Sequence, residues 1–307
     1  MQRISTRRPA AGLAAALILA GCATQSTVAP QAKMEPSVRL DPQVEAQASA
    51  FESFVRRVQA IDPAFSGPAA VGAAVQAGAS YEPQQLQAGM VAFAAAAALQ
   101  DPAFVSAVRR QARDPRAAQE LKRRLATRPD DVMSLPGADG AASRARGALF
   151  RQGAALAEGG RKVKAASYSL QRQAWSKAKV ADASSRLTRV KASARATYRP
   201  SGQDHDLLYR AVSDTSGRGG AASPVVAHGV AVAALSVLGD GRGGAVLLNE
   251  PRNAMCVRLA KLNYHQCLAS AGPYYEDVYC LGTHAMIEPA QCVTQAAGAP
   301  PPSRRRS

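Results

Sequence analysis

Aromatic residues are scarce in this chain: six Phe, eight Tyr and one Trp make up 5% of 307 residues. Runs of β-branched residues are scarce too, while alanine is abundant, so the composition argues against sheets and for helices. Acidic groups are few beside basic ones, 22 against 38, which leaves a formal net charge of +16. Long apolar runs are missing. The stretch from Ala10 to Ala20 has 11 residues, whereas a bilayer-spanning helix needs about 20, and no later segment qualifies. The motifs G-x-S-x-G, H-E-x-x-H and the Gly-rich Lys-Ser/Thr phosphate loop are all absent, so the chemistry that each would signal has no support here. The five cysteines include no short Cys-x2–4-Cys pair, the spacing that zinc sites use, and no Cys-x-x-Cys redox pair. No cofactor and no metal site is expected.

What the N-terminus does have is a basic start (Arg3, Arg7, Arg8), the apolar run, and then Leu19-Ala20-Gly21-Cys22. A positive end, an apolar centre and small residues before a cut form the three-part pattern of an export signal. With a cysteine after the cut, the segment resembles the lipobox of bacterial lipoproteins. The resemblance covers residues 1 to about 25 and is silent on the rest of the fold. It implies that residues 1–21 are removed and that Cys22, acylated with diacylglycerol, becomes a lipid-bearing N-terminus. In this family an Asp after the cysteine goes with retention on the inner membrane. Ala23 in that place implies the periplasmic side of the outer membrane. The mature chain as a whole is similar to uncharacterised proteobacterial envelope lipoproteins, which implies no activity.

Charge is confined. Residues 23–100 carry 4 positive and 6 negative groups, whereas residues 144–199 carry 14 positive and 2 negative. Residues 22–40, with Pro30 and Pro36 and few large apolar groups, read as a flexible tether. An acid–proline pair then recurs: Asp41-Pro42, Asp62-Pro63, Glu82-Pro83, Asp101-Pro102 and Asp114-Pro115. An acid can accept from the free N–H groups of a helix start, and proline suits the first turn because its missing N–H would be unpaired there. The pairs predict five helices, over 41–61, 67–78 or 62–78, 82–100, 101–113 and 114–127, forming a helical body at 41–135. Met90–Leu99 is apolar all round and so belongs at the centre of a bundle. Residues 136–200 read as a basic segment of long helices. Residues 201–249 read as loops around one short apolar core element, Val225–Leu238, with Gly239–Gly244 as a linker. A four-cysteine module follows at 250–295, and a disordered tail at 296–307. The expected fold is therefore mainly α: a helical bundle, a long basic helical segment and a disulfide-stapled C-terminal hairpin.

In the module, Cys256, Cys267, Cys280 and Cys292 follow C-x10-C-x12-C-x11-C. Four cysteines in an exported chain favour two disulfides, with three possible connectivities. Cys256 and Cys267 return to within about 20° of one helical face, and Gly272-Pro273 supplies a turn. The hairpin so formed pairs Cys267 with Cys280 and Cys256 with Cys292. Pro289 is expected to interrupt the second arm. A metal site using His265 and His284 is the alternative weighed against this.

Arg161, Lys164, Tyr168, Arg172, Trp175 and Lys179 are spaced 3, 4, 4, 3 and 4, which predicts one cationic, aromatic helical face. Such a face suits an anionic phospholipid layer or another anionic envelope polymer. It suits equally a solvated face with Tyr168 and Trp175 partly packed. Nucleic acid is not an expected partner of an exported chain. The reading is a non-enzymatic binding or scaffolding lipoprotein, tied to the membrane by its lipid, with a protein partner still unidentified. The alternative is a cell-wall hydrolase with its acid at Glu276 or Glu288, near Asp277 and His284. His205, between Asp204 and Asp206, is a similar weak signal.

Overall fold

The computed structural model describes residues 38–213 and 216–300. The lipobox with Cys22, nearly all of the tether and residues 301–307 lie outside that set. The described residues belong to one compact unit and contain fourteen α-helices and no strand. The mainly helical class follows as expected, and the hairpin carries both disulfides.

The first five helices begin on proline: α1 (Pro42–Gln59), α2 (Pro68–Ala79), α3 (Pro83–Ala98), α4 (Pro102–Gln111) and α5 (Pro115–Thr127). Four of the acids cap them. Asp41 accepts from the Gln43 N–H at 2.9 Å, Asp101 from Phe104 at 2.9 Å and Asp114 from Arg116 at 2.9 Å. Glu82, with its longer side chain, still accepts from Gln84 and Gln85 at 3.0 and 2.7 Å. Asp62 differs. Its carboxylate accepts from Ala64 in a turn at 2.8 Å, and α2 starts after Gly67, so the shorter 67–78 alternative is the one that forms.

A 3₁₀ turn at Pro129–Ser134 leads into α6 (Ala138–Leu170), then α7 (Ala174–Lys177), α8 (Ala183–Ser193), α9 (Gly202–Ser213), α10 (Pro224–Val237), α11 (Gly241–Val246) and α12 (Pro251–Ser270). The chain closes with α13 (Tyr274–Cys280), a π-helical segment at Leu281–Ile287, and α14 (Glu288–Ala296). Two loop expectations are corrected here. Residues 202–213 are helical because Leu208 and Val212, one turn apart, are buried while Asp204 holds the helix start, accepting from the Ser201 N–H at 2.8 Å and hydroxyl at 2.9 Å. The Gly239–Gly244 stretch winds into α11 because Asp240 caps it through the Gly243 N–H at 2.9 Å.

α3 is the axis. Met90 to Ala98 are all buried without exposure, and α1, α6, α10 and α12 pack around it. Alanine and glycine let these backbones approach closely. A Cβ at Gly229 of α10 would stand 2.5 Å from Ala94 Cβ, and one at Gly89 would stand 2.6 Å from Phe51 Cβ. α6 uses the same device toward the C-terminal hairpin. A Cβ at Gly153 would meet Thr294 Cγ2 at 2.6 Å, and one at Gly160 would meet Ile287 Cγ1 at 2.8 Å.

The hairpin has α12 as its first arm. Its second arm is α13, the π-helical segment and α14. Cys267 bonds Cys280 and Cys256 bonds Cys292, with Cα separations of 5.6 and 5.8 Å, which is the nested pairing. Pro289 does not break the second arm. Proline has no N–H for the carbonyl four residues back, and the seven residues before α14 take the wider π winding, a common way for a helix to absorb such a disturbance.

Candidate functional site

The cationic face predicted from spacing needs one uninterrupted helix, and the structure ends that helix early. α6 stops at Leu170. Gln171, Arg172 and Gln173 are all exposed and give a continuing helix nothing to bury. The Ser176 hydroxyl instead donates back to the Leu170 and Gln173 carbonyls, and satisfying orphan carbonyls in this way competes with further helix. Arg161, Lys164 and Tyr168 therefore share α6, Arg172 sits in the turn, Trp175 lies on α7, and Lys179 lies in extended chain bridged to Pro273. The six residues do not share one helical face.

Tertiary contacts gather them differently. Tyr168 is 54% exposed and meets the Tyr279 ring edge-on, centroids 6.3 Å apart. Lys164 lies over the same ring at 5.1 Å. Trp175, half-buried against the core, stands 6.3 Å from Tyr274. α13 thus ties the end of α6 to α7 through its tyrosines, and the result is a basic–aromatic patch rather than a stripe. Nothing local in the sequence reports which distant helix Tyr274 and Tyr279 touch. Of the fourteen basic residues at 144–199, nine are exposed: Arg161, Lys162, Arg172, Lys177, Lys179, Arg189, Lys191, Arg195 and Arg199. Arg161 is ion-paired to Glu158 at 2.6 Å. Arg186 is buried and pairs with Asp277 while donating to the Leu268 carbonyl. Burial pushes the Asp277 carboxyl up to about 6, against the pull of the Arg186 guanidinium.

The acids singled out for chemistry are engaged in holding the fold. Glu276 accepts from the Gly272 N–H at 2.8 Å. Glu288 lies 2.7 Å from His284 Nδ1 and accepts from Asn263 Nδ2 at 2.9 Å. His205 Nδ1 is 2.8 Å from the Ser49 hydroxyl, a serine–histidine contact, but Ser49 is fully buried on α1. Asp204 beside it takes Arg56 at 2.7 Å and the Tyr198 hydroxyl at 3.0 Å.

A second feature had no sequence signal. A cleft of about 490 Å³ opens where the start of α3, the end of α8 and the middle of α12 meet, lined by Glu82, Pro83, Lys191, Ala194, Arg195, Lys261 and His265. Lys261 is 4% exposed. Its ammonium donates to the Ala79 carbonyl at 2.8 Å and lies 3.3 Å from the centroid of the Tyr81 ring. Burial pushes its pKa well below the usual lysine value.

The chain matches no protein-family model, no curated protein and no solved structure.

Proposed function

We propose that this protein is a non-enzymatic envelope lipoprotein, anchored through acylated Cys22 on the periplasmic side of the outer membrane, whose basic–aromatic patch rests on an anionic phospholipid headgroup layer. The observation that carries the reading is the exposure of nine basic side chains within one stretch that holds only two acids, beside an exposed Tyr168. Tyrosine and tryptophan suit the headgroup level because each joins an apolar ring to a polar tip. Lysine and arginine near such a surface contribute about 1 kcal/mol each, and added salt weakens this. The lipid and the patch then act as two signals on one chain, the combination that makes membrane attachment stable.

The test is vesicle co-sedimentation of the chain without residues 1–22, which keeps the whole folded unit and carries neither lipid nor leader. Arg172, Lys177 and Lys179 are all exposed, so reversing them to Glu disturbs no buried contact. The triple variant should bind anionic vesicles roughly 10²-fold more weakly at low salt. Trp175→Ala should weaken binding with little change in salt dependence. Equal pelleting of parent and triple variant overturns the reading. Tighter binding to a soluble anionic polymer than to the vesicles, lost in the triple variant, overturns the headgroup layer and points to the polymer as the partner.

A further inference from the structure

We infer that the cleft between α3, α8 and α12 is a binding site for a small organic anion of the phosphate-monoester class. Two segments each bring a pair of residues to its lining: Lys191 from α8 with Arg195 from the turn that follows it, and Lys261 with His265 from α12. Two exposed cations, Lys191 and Arg195, and the buried Lys261 amine therefore share the lining with one acid. That acid, Glu82, already accepts from the Gln84 and Gln85 N–H groups as the cap of α3, so it is held at the helix start. The opening of α3 adds the positive end of its backbone dipole to the same wall. A phosphate dianion matches this surplus better than a single carboxylate does, and Arg and Lys are the side chains that recognise it.

The second observation is an imidazole without a partner. Nε2 of His265 is buried and makes no hydrogen bond, and native proteins leave few buried polar atoms in that state. His265 lines the cleft, and when protonated its ring can donate from either nitrogen to an anionic oxygen. The Lys261 ammonium has three hydrogens; the Ala79 carbonyl takes one and the Tyr81 ring faces another, which leaves one for an incoming acceptor. The volume of about 490 Å³ exceeds what a bare phosphate needs and falls within the range of small-molecule sites. Pro83 and Ala194 give an apolar wall for the organic part of an ester.

Burial, together with the charges of Lys261, Lys191 and Arg195, holds His265 down at about 4. An anion in the cleft offsets those three charges and stabilises the imidazolium, so occupancy should raise the His265 pKa. By reciprocity, a protonated His265 should hold the anion more tightly.

The experiment is an NMR pH titration of the His265 ring in the chain without residues 1–22, which keeps the whole folded unit, with His265→Gln to assign the signal. The probes are glycerol phosphate and short-chain dihexanoyl phosphatidic acid, each against chloride at equal ionic strength. Either phosphate monoester should raise the His265 pKa by one unit or more. The probe that half-saturates at lower concentration tells a free phosphate ester from a lipid headgroup. Lys191→Gln with Arg195→Gln, both at exposed positions, should raise the ligand-free pKa and abolish the ligand-dependent shift. An unchanged His265 pKa with both probes overturns the site, and so does a double variant that keeps the full shift. The vesicle test reverses Arg172, Lys177 and Lys179, none of which lines the cleft, so the two readings fail separately.

Discussion

At the scale of single residues, two glycines in helices show how much context decides. A Cβ at Gly160 would stand 2.8 Å from Ile287 Cγ1, 2.9 Å from Met286 Cβ and 3.0 Å from the Gly282 carbonyl. A Cβ at Gly72, on α2, would meet nothing within 4 Å. Gly160→Ala should therefore destabilise by about 1–3 kcal/mol through overpacking. Gly72→Ala should stabilise by about 0.4–1 kcal/mol, because it removes freedom only from the unfolded chain. Urea unfolding of both variants checks the opposite signs. Asp204 gives the pH counterpart. Burial alone would raise its pKa, but hydrogen bonds from Ser201, Tyr198 and Arg56 overcome that and hold it at about 2. The folded-state pKa lies below the unfolded value, so this contribution is present above pH of about 4 and is lost as the pH falls toward 2. Asp204→Asn should cost about 1–3 kcal/mol at neutral pH. It should also flatten the acid limb of a stability–pH profile, which thermal melts across that range would record.

At the scale of elements, α12 carries apolar residues on two faces. Val257, Tyr264 and Leu268 are fully buried, whereas Met255, Leu259 and Leu262 are 61%, 54% and 51% exposed. Periodicity alone cannot say which of two apolar rows faces the core. Leu268→Ala should cost about 2–5 kcal/mol, and Leu259→Lys should change stability by no more than about 0.5 kcal/mol. Chemical denaturation separates the two, and a large loss at Leu259 would mean that the row is covered. The same limit explains the broken stripe. The register from Arg161 to Lys179 was legible, but the end of α6 at Leu170 depends on what residues 171–173 fail to bury. Acid–proline starts were legible because a cap is local chemistry. Asp62 shows the boundary of that rule, since its carboxylate closes a turn as readily as it caps a helix.

At the scale of the whole molecule, the expected body, basic segment and cysteine module are not separate bodies. α6 packs on α3 and on the π-helical segment and α14, so the first half of the basic segment is held between bundle and hairpin. Attachment is the property that belongs to this scale. If Cys22 bears the lipid, Cys22→Ser should leave the chain unprocessed and alter its membrane partition, which fractionation and mass determination would read. A processed, soluble Cys22→Ser chain would show an ordinary signal cut instead.

Features that depend on neighbours along the chain could be read before folding. Alanine-rich composition set the helical class, four acid–proline caps set helix starts, and the return of Cys256 and Cys267 to one helical face, with a turn at Gly272-Pro273, set the nested disulfides. Tertiary structure alone decided what depends on which surfaces meet. It put the α13 tyrosines against Lys164, Tyr168 and Trp175, closed Ser49 from solvent, and assembled a cationic cleft from three helices far apart in sequence. The physical reason is that capping and covalent pairing act over one turn of chain. Burial, cavities and converging charge exist only between faces, and the packing of small residues along α3 and α6 chooses which faces meet.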